Sequence, residues 1–112
     1  MQERRRFVRI PERLAIAYKI LPSDKPAGFL TKNISQAGLR FFVHDFVKPA
    51  SLLEVRVSFE KVRFSLEAIA RVVWVEKEAH SERYEVGVEF ATISKKAASQ
   101  LISYIETILK TK

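Results

Sequence analysis

The sequence contains no cysteine. A disulfide framework and thiolate metal sites are therefore excluded, and the core must hold the fold together unaided. Long apolar runs are missing as well. No stretch approaches the roughly 20 residues needed to cross a bilayer, and the opening Met1-Gln-Glu-Arg-Arg-Arg6 lacks the apolar region of a secretory signal. The expectation is a cytoplasmic protein with no membrane span. Catalytic signatures are equally scarce: there is no Gly-x-Ser-x-Gly, no cysteine nucleophile and no His-Glu-x-x-His helix. His44, at a strand end, and His80, in a polar loop, read as ordinary surface residues, and nothing in their spacing suggests a metal site. Glu85 and Glu89 lie on one face of a strand pattern and read as a solvated outer face rather than a pair of catalytic acids. No enzymatic activity, metal or cofactor is expected.

What is present is a chain of 112 residues with 47% hydrophobic content, the size and composition of one domain. Its formal net charge of +7 favours anionic partners. The distribution is more informative than the total. Within residues 1 to 13 stand Arg4, Arg5, Arg6, Arg9 and Arg13 against Glu3 and Glu12. All five cations are arginine, whose guanidinium offers a planar fork to phosphate and a flat face to an aromatic base. Residues 1 to 13 are expected as a flexible basic arm.

Alternation of period two marks strands. Leu14, Ile16, Tyr18 and Ile20 give the first, and Pro22 to Gly28 then breaks the pattern as a surface connection. Strands are expected over Phe29 to Asn33 and Leu39 to Val43, and another is carried by Leu53, Val55, Val57 and Phe59. A turn at Glu60-Lys61 leads into a long β-rich stretch from 62 to 75, with apolar residues on both phases near its end, which predicts a bulge or bend within it. After a polar loop from Glu76 to Arg83, Tyr84, Val86, Val88 and Phe90 alternate cleanly. The period then changes: Leu101, Ile102, Ile105, Ile108 and Leu109 recur at helical spacing behind Ser94 as N-cap, so a helix is expected at about 95 to 110. Six strands with short loops and no crossover helices cannot build a parallel sheet. The predicted class is mainly β: a six-stranded antiparallel barrel with a C-terminal α-helix, forming one domain over residues 14 to 112.

Two segments could carry recognition. In the arm, Arg5 and Arg9 are four apart with Arg4 and Arg6 beside them, and Pro11 limits helix formation. Between two strands lies Asn33-Ile34-Ser35-Gln36-Ala37-Gly38, where Asn and Ser side chains can hydrogen-bond and Gly38 permits a tight turn. Judged alone, the first reads as a flexible basic terminus and the second as an ordinary turn. Together and in this order they resemble the PilZ domain family, whose signature is Arg-x-x-x-Arg followed by Asp/Asn-x-Ser-x-x-Gly. Ala70-Arg-Val-Val-Trp-Val75 and Tyr84-Glu-Val-Gly-Val-Glu-Phe90 also look like later strands of that family.

The resemblance implies binding of cyclic di-GMP, a bacterial second messenger. Arg5 and Arg9 would contact phosphates and guanine, supplemented by Arg4 and Arg6. Asn33 and Ser35 would bond a guanine edge, and Gly38 would leave room for close backbone approach. Two or three charge-assisted bonds of roughly 1.5 to 3 kcal/mol each cover much of the ~8 kcal/mol of a micromolar affinity. Asn33 stands where Asp is the commoner family residue and lacks its charge. Trp74 reads first as a core or barrel-rim residue; a contact to the ligand is the secondary reading, since some family members place a side chain near the base at this position.

Three functions follow as expectations. One is a cyclic di-GMP receptor that orders residues 1 to 12 and signals to an unidentified effector protein. Another is a general single-stranded nucleic-acid binder using Phe41, Phe42 and Trp74, unless these are core. The third is a degenerate adaptor, against which the two intact motifs count. Oligomeric state is left open.

Overall fold

The computed structural model describes residues 8 to 22 and 26 to 110. Six strands follow in order: β1 (Ala15–Ile20), β2 (Pro26–Ile34), β3 (Gly38–Val43), β4 (Leu52–Phe59), β5 (Phe64–Lys77) and β6 (Tyr84–Ile93). A 3-10 turn at Glu60–Val62 joins β4 to β5, and helix α1 (Lys95–Lys110) ends the described chain. Every pairing is antiparallel and the ring closes in the order β1-β2-β3-β6-β5-β4, with β4 returning to β1 through pairs such as Ile16 with Val57. Closure gives each strand a partner on both sides over at least part of its length. The predicted barrel with its terminal helix is thus the observed fold.

The alternating sequence decides which face of each strand turns inward. In β4, Leu53, Val55, Val57 and Phe59 are buried while Glu54 and Arg56 are exposed. Phe41, Leu39 and Val43 of β3, Val86 and Val88 of β6, and Leu66, Ala70 and Val72 of β5 complete the interior. The structure corrects the second strand, which begins at Pro26 rather than Phe29. Pro26, Ala27 and Gly28 pair with Lys19, Tyr18 and Ala17. Turn composition predicted a connection there, but β1 needs a partner along its whole length, and ladder formation outweighs local preference. Proline is tolerated because it stands at the first strand position.

The expected irregularity in the long strand is present. Val72 pairs with Val88 and Trp74 with Gly87, so Val73 is an extra residue on β5. A second shift between Ile69 and Ala70 leaves Ala91 extra on β6.

Helix α1 begins where Ser94 Oγ accepts the Ala97 N–H at 3.0 Å, satisfying an otherwise orphaned donor. Ala97, Leu101, Tyr104 and Ile105 are its buried residues. Tyr104 meets Phe59 edge-on, with ring centroids 4.7 Å apart, and Phe59 stacks on Phe64 at 5.1 Å. Ile102 and Leu109 share the helical apolar spacing yet remain exposed, at 38% and 42%. The apolar stripe is wider than the barrel surface it covers.

Within residues 1 to 13, described from Val8 onward, Ile10 is buried and exchanges both backbone hydrogen bonds with Ile34, at 2.9 and 3.0 Å. Buried Thr31 ties down the next residues. Its hydroxyl accepts from the Leu14 N–H and donates to the Glu12 carbonyl. Tyr104 donates to a Glu12 carboxylate oxygen at 2.6 Å. Burial, then this hydrogen bond, pushes the Tyr104 hydroxyl up to about 12. Among the described residues no helix is long and apolar enough to cross a membrane.

Candidate functional site

The Ile10–Ile34 bridge determines what stands on either side of it. Arg9 precedes Ile10 and Asn33 precedes Ile34, and Arg9 Nη1 donates to Asn33 Oδ1 at 3.0 Å across 24 positions of sequence. The last arginine of the first motif and the first residue of the second are therefore adjacent. Arg4, Arg5 and Arg6 lie outside the described residues.

Ser35 and Gly38 belong to the same loop, but the structure gives their side-chain positions other surroundings. Ser35 is fully buried. Its hydroxyl accepts the Ala37 N–H at 3.2 Å and donates to the Gly38 carbonyl at 3.4 Å, while its own N–H donates to that carbonyl at 2.8 Å. These bonds satisfy the backbone of a four-residue turn. Gly38 has no positive φ. Its requirement is space: a Cβ would stand 2.0 Å from the Val88 carbonyl oxygen, because β3 runs hard against β6 at this point.

Register extends the site across the outer wall of the barrel. Asn33 pairs with Arg40, Arg40 with Gly87, and Gly87 with Trp74, giving one row over β2, β3, β6 and β5. Arg40 faces outward because its neighbours Leu39 and Phe41 are buried. Two bulges bring the ends of the row to this face. On β2, Thr31 pairs with Phe41 and Asn33 with Arg40, so Lys32 is extra, and Thr31 points inward while Asn33 points outward. On β5, extra Val73 does the same for Val72 and Trp74. Without those insertions strict alternation would turn Asn33 and Trp74 into the core.

Trp74 is half-buried on this wall and is not a core residue. The Arg40 guanidinium lies 4.7 Å over its ring, and the two side chains meet across Gly87, where a Cβ would be in ordinary contact with both. Phe41 is core, but Phe42 also faces outward, with the Arg83 guanidinium 4.1 Å over its ring. Arg83 in turn bonds both carboxylate oxygens of Glu78, at 2.5 and 3.1 Å, and this hydrogen bonding holds the Glu78 carboxyl below the usual range. Glu85, opposite Phe42, pairs with Lys32 at 3.1 Å and Arg40 at 3.7 Å.

A cleft of about 400 Å³ opens beside this row, and Arg13, Lys32 and Arg83 are among its lining residues. Another groove, of about 440 Å³ between the β4–β5 turn and α1, is lined by Lys61 alone among cations. Neither is lined by a motif residue, and the first carries the greater positive charge. Among the described residues no group of three or more His, Asp or Glu could hold a metal ion. Arg40, Lys32 and Gly87 carry no signal in the two motifs, and Glu85, expected on a solvated face, is largely enclosed. Arg40 could have been found as the polar residue between inward Leu39 and Phe41, but its neighbours depend on register.

A family model described as PilZ domain matches residues 3–107. Among solved structures, the chain is similar to the Bacillus subtilis inhibitor of motility (MotI/DgrA), with 20% identity, a TM-score of 0.86, and coverage of 99% of this chain and 54% of that one. It is also similar to Escherichia coli YcgR solved in complex with c-di-GMP, at 14% identity and TM-score 0.80, covering 97% of this chain and 47% of that one. The PilZ domain of YcgR with c-di-GMP matches at 14% identity and TM-score 0.75, over 97% and 94% of the two chains. The chain thus spans about half the length of the first two relatives, and the likeness speaks for a shared fold. No curated protein matches the sequence. With the family model covering nearly the whole chain and the six-stranded barrel agreeing with it, the chain belongs to the PilZ domain family.

Proposed function

We propose that this chain is a non-enzymatic receptor for cyclic di-GMP. The observation that carries the reading is the Arg9–Asn33 hydrogen bond, which joins the two motifs on one wall of the barrel. Cyclic di-GMP presents two phosphodiesters and two guanines, and so calls for cations, flat faces and hydrogen-bonding edges together. Arg9 supplies a fork for phosphate or guanine, and Asn33 an amide for a guanine edge. Arg4 and Arg5, with Arg6 beside them, complete the cationic set, and Trp74 at the far end of the row backs the Arg40 guanidinium that lies over its ring. Ser35 and Gly38 act by shaping the loop: Ser35 through its buried bonds, Gly38 by letting β3 approach β6. Family membership supports the reading, as do two relatives solved with c-di-GMP.

Ile10 and Glu12 are already tied to the barrel, so ordering on binding does not extend over all of residues 1 to 12; the ligand is bound in the bacterial cytoplasm, and the altered surface is read by a partner protein. A single-stranded nucleic acid is less well served. Phe41 is buried, and the Phe42 and Trp74 rings each lie under a guanidinium rather than open to a base.

The test is calorimetric titration of cyclic di-GMP, linear pGpG and a single-stranded oligonucleotide into wild type, Arg5→Ala and Arg9→Ala. Protein at about 50 μM detects micromolar binding. Heat with cyclic di-GMP, weakened about tenfold or more in each variant, is the expected result. No heat with cyclic di-GMP sinks the reading, and steeply salt-dependent oligonucleotide binding in its place would hand the site to nucleic acid.

A further inference from the structure

We propose that Arg40 is a further ligand-contacting residue of this wall, and that Glu85 is the internal counter-anion which the ligand displaces from it. The proposal rests on the reading of the site as a receptor for a cyclic dinucleotide with two phosphodiesters.

Arg40 occupies the middle of the row, next to Asn33 across the strands and one position from Trp74. Its guanidinium is oriented before any ligand arrives, because one face is covered by the Trp74 ring at 4.7 Å. Its donors are not used up. A guanidinium carries five N–H groups, and among the described residues its ionic partner is Glu85 Oε2, 3.7 Å from Nη1, beyond hydrogen-bond range.

Glu85 is poorly served in return. Its Oε1 accepts from Lys32 Nζ at 3.1 Å, but its Oε2 is buried and accepts no hydrogen bond among the described residues. Buried acceptors left in this state are uncommon and point to a role other than stability. The carboxylate holds Lys32 and Arg40 by charge without giving Arg40 a directed bond. A phosphodiester has two non-bridging oxygens and can give that fork the bidentate pair Glu85 does not. Gly87 stands between Arg40 and Trp74 in the row and adds no side chain to their contact. Removing the Glu85 carboxylate deprives Lys32 and Arg40 of the counter-anion they share and so favours an incoming anion.

The experiment titrates cyclic di-GMP into wild type, Arg9→Ala, Arg40→Ala, Arg40→Lys and Glu85→Gln, by calorimetry and by the emission of Trp74, the one tryptophan in the chain. Thermal melts establish that each variant is folded. Arg40→Ala is expected to weaken binding about tenfold or more, and Arg40→Lys not to restore it, because an ammonium lacks the planar fork. Glu85→Gln is expected to tighten binding several-fold, and saturation of wild type to change the Trp74 emission. Arg40→Ala binding as wild type does, or emission unchanged at saturation, overturns the Arg40 contact. Glu85→Gln with unaltered or weaker affinity overturns the displacement. If wild type fails to bind, the receptor reading falls and this inference with it. If Arg9→Ala weakens binding while Arg40→Ala does not, the reading stands and this inference alone is lost.

Discussion

On the wall built by β1, β4 and β5, Lys19 pairs with Glu54 at 3.4 Å and Arg56 with Glu67 at 2.7 Å, and all four side chains are between 39% and 64% exposed. On the wall built by β2, β3 and β6, Lys32 and Arg40 share Glu85, whose side chain is 13% exposed. The strands obey the same alternation in both places, so the difference is not one of fold. Matched pairs in water are worth about 0 to 1 kcal/mol and serve solubility. Arg40, 33% exposed, and Glu85, 13% exposed, are more enclosed than those pairs, whereas Lys32 at 49% is not, and Glu85 gives the enclosed guanidinium no hydrogen bond. A guanidinium so placed fits the wall proposed above for recognition, the recognition wall, and sets it apart from the solvated wall without reference to any motif.

The strongest way to break the recognition wall is through its backbone. Gly38→Ala places a Cβ 2.0 Å from a main-chain oxygen, an overlap that no rotamer relieves. A loss of about 3 kcal/mol or more is expected in urea denaturation. An unchanged midpoint would mean that β3 and β6 part there at little cost. Next comes Arg9→Ala, which should lower cyclic di-GMP affinity roughly ten- to hundredfold, equivalent to about 1.4 to 2.8 kcal/mol, while leaving the thermal midpoint nearly where it was. Calorimetry and a melt on the same sample check both halves.

The tether between arm and helix predicts a pH effect. Tyr104 has its hydroxyl pushed from the ordinary 10.0 up to about 12, by burial first and the Glu12 carboxylate second. A group whose folded pKa is raised adds stability that is full below its unfolded value and is lost as pH rises through the folded one. Stability should therefore fall between pH 10 and 12, and Tyr104→Phe should flatten that fall, at a cost of about 1 kcal/mol at neutral pH. Tyr18, raised by burial and then by Asp45, titrates in the same direction, so some slope should remain. Denaturation midpoints at several alkaline pH values provide the check. Arg56→Ala, on the solvated wall, is the smallest change: within about 0.5 kcal/mol in stability, with cyclic di-GMP affinity unaltered. A clear loss of affinity there would erase the distinction between the walls.

Alternation in 14 to 20, 53 to 59 and 84 to 90, and the helical spacing after Ser94, made the barrel and its helix legible, because burial on one face imposes a period on the residues themselves. The start of β2 at Pro26 was not legible, since it depends on what β1 offers as a partner. The motif residues were visible as letters. Ser35 carries the right letter for a ligand contact, and only the fold shows that it is buried with its hydroxyl bonded to Ala37 and Gly38 of its own loop. Trp74 and Phe42 look like core from composition and prove to face outward under arginine side chains.

The sequence by itself determined the class of fold, the excess of arginine at one end and the order of the two motifs, for these follow from periodicity and residue chemistry along the chain. Tertiary structure alone decided that Arg9 meets Asn33, that Arg40, Glu85 and Lys32 join the same wall, and that Asn33 and Trp74 face out of the barrel. The reason is register. One extra residue, at Lys32 or at Val73, turns every later side chain of that strand to the opposite face, and where such a residue is accommodated depends on the neighbouring strand.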